Sequence, residues 1–211
     1  MNLLDFFFPK TCLGCKSKGY YFCPNCQQRQ LLEQKPNSLH HLPGFKHLVS
    51  VTSYQGVIRS LVLEMKYHYS HQIGVDLASF INLYLSQTHE YFPKKTTLVP
   101  IPMYQHKENV RGFNQATIIG QLVAQKQNWG FIPNLLIKSK STPAQAKLDR
   151  STRLKNLSGS FVINPQIQLP DKSTTIILFD DIYTTGSTLK EGGRVIFQAG
   201  YRNLWGLTLA G

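Results

Sequence analysis

The stretch IILFDDIYTTGST, residues 176–188, decides the fold, because it leads from an apolar segment into a turn of acidic, hydroxyl and glycine residues. Its four leading apolar residues predict a buried strand. Asp180 and Asp181 follow at the point where that strand should end. Burying carboxylates without partners is costly. We therefore expect a functional site at the end of this strand.

The turn that follows the two acids is suited to an anion. Small and hydroxyl residues let backbone N–H groups converge, and the positive end of the next helix adds to the attraction. The predicted phosphate-binding residues are Thr184, Thr185, Gly186, Ser187 and Thr188. The two carboxylates would repel a phosphate, so they suit the hydroxyls of an attached sugar or a magnesium ion. A Walker A loop does not fit, because Gly-Lys-Ser/Thr is missing, and an ordinary strand–turn–helix is the alternative.

Strand and helix patterns alternate along most of the chain. Strands are predicted at residues 48–54, 96–103, 131–139, 161–163, 174–179 and 203–211, and helices at residues 56–66, 73–87, 112–127 and 186–200. This alternation is typical of an α/β fold with a doubly wound, mostly parallel sheet. We place this domain at residues 48–211, after a polar linker at residues 31–47 that contains proline and glycine.

All four cysteines lie in one short stretch, CLGCKSKGYYFCPNC, residues 12–26. Cys12 and Cys15 form one C-x-x-C pair, and Cys23 and Cys26 form another. Four thiolates complete a closed tetrahedral zinc site, so the predicted Zn²⁺ is structural. Redox-active thiols or a disulfide pair are the alternatives. We place this small four-Cys zinc finger at residues 1–30.

The charge of the chain is strongly basic, with 23 Lys and Arg against 11 Asp and Glu and a net charge of +12. Such an excess favours a polyanionic partner, with nucleic acid the first candidate, and a basic solvated surface is the alternative.

No apolar run approaches the roughly 20 residues of a membrane span. The N-terminal residues lack the pattern of a secretory signal. We therefore expect a cytoplasmic protein without a membrane span.

A long polar segment, residues 138–160, carries six cations against a single acid, Asp149. Such a loop suits closure over a diphosphate or contact with a nucleic-acid backbone, and a solvated loop is the alternative. The predicted DNA-binding residues are Lys66, Lys107, Arg111, Lys138, Lys140, Lys147, Arg150 and Arg153. Aromatic side chains available for stacking on single-stranded DNA are Tyr67, Tyr69 and Phe113.

The stretch at residues 176–188 resembles the phosphoribosyl pyrophosphate (PRPP) motif of type I phosphoribosyltransferases, with apolar residues, two acids, an apolar residue and then TTG-x-T. The resemblance implies a type I phosphoribosyltransferase-like domain that binds PRPP with Mg²⁺. Asp180 and Asp181 would be its catalytic residues, holding the ribose hydroxyls and Mg²⁺, and residues 184–188 would hold the 5-phosphate. Pyrophosphate would be bound by Ile101, Pro102, Met103 and Arg111.

The order of motifs over nearly the whole chain is more specific. The cysteine pairs are followed by SYQGVIRSLVLEMKYH, VPIP, RGFNQA, a T-x-x-Q at residues 142–145, an R-x-x-N at residues 153–156 and FDDIYTTGST. This pattern resembles the ComF family of competence proteins. One departure is Ser141, which stands where the family usually has a basic residue. The resemblance implies a cytoplasmic protein that is required for natural transformation and handles incoming single-stranded DNA. Its partners would be a competence helicase or translocase and other DNA-processing proteins.

Two functions are consistent with these motifs. In the first, the protein binds single-stranded DNA, and PRPP is a ligand of its phosphoribosyltransferase-type site. In the alternative, the protein is an active phosphoribosyltransferase, which transfers phosphoribose from PRPP to an unknown acceptor in nucleotide metabolism or salvage. The acidic pair and the complete phosphate turn favour catalysis, and the net charge favours DNA binding.

Overall fold

The protein is described by a computed structural model that covers residues 10–33, 41–67, 71–88, 92–93, 95–103, 108–110, 112–138 and 159–211. Its helices and strands are, in chain order, α1 (Pro24–Glu33), β1 (His47–Thr52), α2 (Gly56–Tyr67), α3 (His71–Thr88), β2 (Thr96–Pro100), α4 (Gln115–Gln127), β3 (Gly130–Phe131), β4 (Leu136–Lys138), β5 (Phe161–Ile163), β6 (Thr175–Ile182), α5 (Ser187–Gln198) and β7 (Leu204–Ala210).

Five parallel strands form the central sheet, in the order β1-β7-β6-β2-β3. The central strand is β6, and its residues 176–179 are fully buried. A strand that is covered on both faces needs a continuous apolar run, which this segment supplies. The carboxyl end of β6 therefore lies between the carboxyl ends of β2 and β7, in the middle of one edge of the sheet.

Helices cover both faces of this sheet. Ile177 and Phe179 belong to a buried cluster with apolar residues of α2, α3 and α4. Ile176 and Leu178 belong to a second cluster, which includes apolar residues of α5. The alternation of β6 side chains between the two clusters confirms the predicted doubly wound, mostly parallel α/β fold. Among the helices that the structure describes, none has the length and apolarity needed to cross a bilayer.

The prediction of one strand at residues 131–139 is wrong. A turn at Pro133 and Asn134 divides this segment, since proline fixes φ and has no N–H for a sheet ladder. The first part, β3, pairs with β2 in the central sheet. The second part, β4, pairs antiparallel with β5 in a separate two-stranded ribbon, with Leu136 opposite Ile163.

Candidate functional site

Asp180 and Asp181 lie in the C-terminal part of β6, which continues to Ile182, three residues beyond the predicted strand end at residue 179. Asp180 is aligned with Thr208 on the neighbouring β7. The backbone N–H of Asp181 donates a hydrogen bond of 2.9 Å to Asp180 Oδ1. Both acids line one cavity beyond the strand end. In parallel α/β sheets this edge is where ligands bind.

The Asp180 carboxyl lies in an unfavourable place for a negative charge. Burial, followed by repulsion from Asp181, raises the pKa of Asp180 well above its usual range, and the positive charge of Lys66 opposes this shift. A ligand that brings hydroxyl donors or a cation would relieve this cost, because either one stabilises the ionised carboxylate. The acidic pair is therefore suited to a sugar diol or a metal ion.

The turn between β6 and α5 has a backbone shape that requires glycine. Gly186 caps α5 with a φ of 71°, and a Cβ at this position would lie 2.8 Å from the ring of Tyr183. The cap makes no side-chain hydrogen bond to the helix. The hydroxyls of Thr185 and Ser187 lie 2.5 Å apart in this turn. Because the first N–H groups of a helix have no partners within it, this end of α5 can offer N–H donors to an anion.

The loop after β2 is held in place by Asn114. The Asn114 Nδ2 donates to the Ile101 carbonyl oxygen at 3.0 Å, and its Oδ1 accepts from the Ala116 N–H at 3.0 Å, which caps α4. Asn114 is buried. The sequence prediction missed this residue, although asparagine directly before a helical pattern is a recognised N-cap signal.

A cavity of about 320 Å³ connects these elements, a size within the range of roughly 300–1,000 Å³ that is typical of ligand pockets. It is lined by Lys66, Ile101, Pro102, Met103, Asn114, Gln115, Ala116, Asp180, Asp181 and Thr188. The structure thus brings together both predicted acids, the predicted pyrophosphate residues 101–103 and Thr188 of the predicted phosphate turn. Residues 184–186 lie in the adjoining turn, Ser187 begins α5, and Arg111 lies outside the described residues.

Lys66 reaches this cavity from the last turn of α2. Its Nζ lies 2.9 Å from Asp181 Oδ2, and the two side chains are only 21% and 19% exposed. The sequence predicts Lys66 as a DNA contact but gives no sign of this ion pair. The next residue, Tyr67, is 67% exposed.

The other predicted DNA-binding residues are not gathered at this cavity by the described structure. Lys138 lies on β4, with Nζ 5.6 Å from the centroid of the Phe161 ring. Phe113 is partly buried against the core. The residues that lie outside the described ranges are Tyr69, Lys107, Arg111, Lys140, Lys147, Arg150 and Arg153. Their contact with DNA stays a prediction.

The four cysteines form one cluster, in which all the Sγ atoms lie within 4.8 Å of one another. Tetrahedral zinc with Zn–S bonds of about 2.3 Å holds its sulfurs about 3.8 Å apart, so the cluster fits a metal such as zinc. Hydrogen-bond donors approach the sulfurs: the Cys23 N–H lies 3.4 Å from Cys12 Sγ, and Arg29 Nη2 lies 3.5 Å from Cys26 Sγ. The nearby Ser17 lowers the pKa of Cys15 to about 6, and burial raises the pKa of Cys26.

The cysteine cluster is packed against the α/β sheet domain through Asp76 of α3. Asp76 Oδ2 accepts the backbone N–H groups of Tyr21 and Phe22 at 2.8 and 2.9 Å. Phe22 is fully buried and meets Phe80 edge-on, with ring centroids 5.2 Å apart. The cluster therefore shares one continuous hydrophobic core with α3. Helix α1 continues to Glu33, beyond residue 30, and the predicted domain boundaries stay predictions.

Replacing Asp76 with alanine is expected to destabilise the protein by about 2–4 kcal/mol, because two backbone N–H donors, one buried and one partly buried, lose their acceptor. Asp76→Asn is the matched control. It retains an oxygen that can accept both hydrogen bonds, so a smaller loss is expected. Urea unfolding measures both variants. Equal stability of Asp76→Ala and the unmodified protein would show that this carboxylate does not hold the cysteine cluster in place.

Comparison with known proteins identifies relatives that cover most of the chain. It is 27% identical to Competence protein F of Haemophilus influenzae, over 94% of this chain and 90% of the relative. It is 25% identical to the DNA utilization protein YhgH of Salmonella typhi, over 90% and 84%. It is 25% identical to Competence protein ComFC of Bacillus subtilis, over 90% and 79%. These homologues confirm the resemblance to ComF-type proteins, while no protein-family model matches the chain.

Two solved structures also resemble the chain. Adenine phosphoribosyltransferase from Saccharomyces cerevisiae matches with a TM-score of 0.41 and 16% identity, over 87% of this chain and 88% of that one. Adenine phosphoribosyltransferase from Trypanosoma brucei matches with a TM-score of 0.43 and 12% identity, over 80% and 73%.

Proposed function

We propose that this protein is a cytoplasmic competence protein of natural transformation, which binds single-stranded DNA and binds PRPP with Mg²⁺ in the cavity at the end of β6. The observation that carries the proposal is the convergence of Asp180, Asp181, Thr188 and residues 101–103 on that cavity. Its relatives named as competence and DNA utilization proteins support the role in DNA handling.

The PRPP proposal assigns each part of the ligand to one side of the cavity. The 5-phosphate is bound at the N-terminus of α5, where residues 184–188 supply hydroxyl and N–H donors. The ribose hydroxyls donate to Asp180 and Asp181, which stabilises their negative charge. The pyrophosphate lies along residues 101–103, whose position is held by the hydrogen bond from Asn114.

The acidic pair also suits the Mg²⁺ that accompanies PRPP. Magnesium prefers oxygen ligands and is usually held by one or two carboxylates together with substrate phosphates. Asp180 and Asp181 supply carboxylate oxygens beside the proposed phosphate positions. Bound there, the ion would offset phosphate charge, and these two residues would fix its place.

The DNA proposal is supported by charge and by an exposed aromatic residue near the cavity. The net charge of +12 favours a polyanion. Tyr67, which follows the cavity residue Lys66, is 67% exposed and offers a stacking surface for a base. We propose Lys107, Arg111 and the cations of residues 138–153 as further phosphate contacts. A competence helicase or translocase and DNA-processing proteins are the proposed protein partners.

We further propose that Cys12, Cys15, Cys23 and Cys26 bind a structural Zn²⁺. The mutual distances of their Sγ atoms support this proposal. Three of the four cysteines are buried. Four protein sulfurs leave no coordination position for a substrate, so the ion would stabilise the fold rather than take part in chemistry.

An active phosphoribosyltransferase is the second candidate, favoured by the presence of both acids in one cavity with Thr188. An acceptor would attack C1 of PRPP, the C1–O bond would break, and pyrophosphate would leave with the bonding electrons. Asp180 and Asp181 would hold the ribose and stabilise the positive charge that develops on the ring. Positioning of the acceptor would supply much of the remaining rate.

The test of the proposed function is fluorescence anisotropy of labelled single-stranded DNA, repeated while Mg²⁺–PRPP is added. We expect binding at low salt that weakens as salt rises, with a slope of about 0.7 per neutralised phosphate. We expect Mg²⁺–PRPP to change the DNA affinity several-fold, because both ligands use cations near the cavity. Sodium chloride at the same ionic strength is the control for simple screening.

The outcomes separate the two halves of the proposal. Absence of DNA binding at low salt would refute the DNA-binding role. If Mg²⁺–PRPP and sodium chloride of the same ionic strength change the DNA affinity to the same extent, the cavity is not coupled to the DNA surface. Direct calorimetry of PRPP binding then tests the cavity on its own.

A further inference from the structure

Lys66 is the one cation among the described residues that line the cavity. Its Nζ lies 2.9 Å from Asp181 Oδ2, and both side chains are about four-fifths buried. Partial burial strengthens such a pair, because water screens it less than an ion pair on the surface. The cation therefore occupies space beside the carboxylate that a metal ion or a sugar hydroxyl would approach.

One of the two carboxylates in the cavity already has a counter-ion. Asp181 is paired with Lys66 at 2.9 Å. A free divalent cation that enters the cavity thus meets less negative charge than two unpaired carboxylates would offer. It must also approach the positive charge of Lys66, which repels it.

A phosphorylated ligand changes this balance. Its phosphate oxygens offer Lys66 a partner with more negative charge than one carboxylate. Lysine is a compact charge on a flexible four-carbon stem, so it can exchange partners without a backbone movement. Met65, the residue before it, is buried in the core and fixes the end of α2. When Lys66 turns to a phosphate, both carboxylates become available to a cation.

We propose that Lys66 is an internal counter-ion of Asp181, which keeps free divalent cations out of the empty cavity and passes to a phosphate of the incoming ligand. Metal and phosphorylated ligand then enter together rather than metal first. This inference rests on the proposed function as a PRPP site. It gives Lys66 a role in the order of ligand binding, in addition to its predicted contact with DNA.

The experiment compares Lys66→Met with a control variant, Lys126→Met. Lys126 is exposed to solvent and lies in the last turn of α4, at the end of that helix that is away from the cavity. The full chain is used, with zinc bound to its cysteine site. The probe is Mn²⁺ alone, and its binding is measured from the decrease in the electron paramagnetic resonance signal of free Mn²⁺. We expect Lys66→Met to bind Mn²⁺ about tenfold more tightly than the unmodified protein. Its affinity for metal-free PRPP should fall about tenfold, and Lys126→Met should change neither value.

Opposite changes in the two affinities are the signature of an internal counter-ion. Mn²⁺ binding by Lys66→Met that is equal to or weaker than that of the unmodified protein would overturn the inference. If Lys66→Met does not fold by circular dichroism, Lys66→Gln carries the same comparison. Failure of the unmodified protein to bind Mg²⁺–PRPP would refute the proposed function instead, and the Mn²⁺ comparison would still decide the role of Lys66.

Discussion

Replacing Asp180 and Asp181 together with asparagine is expected to lower the affinity for Mg²⁺–PRPP by about 100-fold or more. Each carboxylate makes charge-assisted contacts that contribute about 1.5–3 kcal/mol, and each 1.4 kcal/mol is tenfold in affinity. Asparagine keeps the shape of aspartate but removes the charge. Isothermal titration calorimetry of the variant and the unmodified protein measures the change.

The free energy of unfolding should change little in the double variant, because the two single replacements should shift it in opposite directions. Asp180→Asn removes the cost of burying a repelled carboxylate, whereas Asp181→Asn leaves Lys66 without its ion pair. DNA affinity should remain the same or rise slightly, since negative charge is removed. A variant that loses PRPP and DNA affinity together would contradict the assignment of the two acids to PRPP alone.

Asp171→Asn is the matched control, because it removes the same charge at the opposite end of β6. Asp171 is exposed and pairs with Lys95 at 3.5 Å. We expect it to leave PRPP affinity unchanged. Equal PRPP affinities for Asp171→Asn and the double variant would refute the proposed site. If the unmodified protein releases pyrophosphate from PRPP and the double variant does not, an active phosphoribosyltransferase is favoured over a protein that only binds PRPP and DNA.

The parts of the site that are local in the chain could be predicted from the sequence. The apolar run of β6, the two acids and the turn through Gly186 are contiguous, so their residue types already determine the strand, the acidic residues at its end and the turn into α5. The cysteine cluster was equally predictable, because ligand spacing is a local property. These predictions depend on neighbours in sequence and needed no knowledge of strand order.

Contacts between distant parts of the chain could not be predicted in this way. The Lys66–Asp181 pair depends on how α2 approaches the end of β6, which follows from the strand order. Asp76 binds backbone N–H groups of Tyr21 and Phe22, and backbone donors leave no mark in the residue pattern. In the sequence, Asp76 has the pattern of an ordinary polar position on an amphipathic helix, and only the packing of α3 shows its partners.

Removing the metal from the four-cysteine site is expected to lower the unfolding temperature of the whole protein by about 10 °C or more. Structural zinc contributes about 10–16 kcal/mol in zinc-finger peptides, and 1 kcal/mol shifts the midpoint of a chain of this size by about 2–4 °C. The effect should extend beyond residues 10–33, because Cys12, Cys23 and Phe22 belong to the same buried cluster as α2, α3 and α4. Thermal unfolding of zinc-loaded protein, before and after a chelator, measures the shift.

Asp76→Ala shows whether the metal stabilises the rest of the fold through the contact with α3. In the unmodified protein we expect one transition, which moves to lower temperature with the chelator and returns when zinc is added back. In Asp76→Ala the backbone N–H groups of Tyr21 and Phe22 have lost their hydrogen bonds to α3. The chelator should then shift the main transition by a smaller amount, because less of the metal's stabilisation reaches the sheet. A main transition that the chelator leaves in place in both proteins, despite measured loss of zinc, would mean that the cysteine cluster folds independently of the sheet domain.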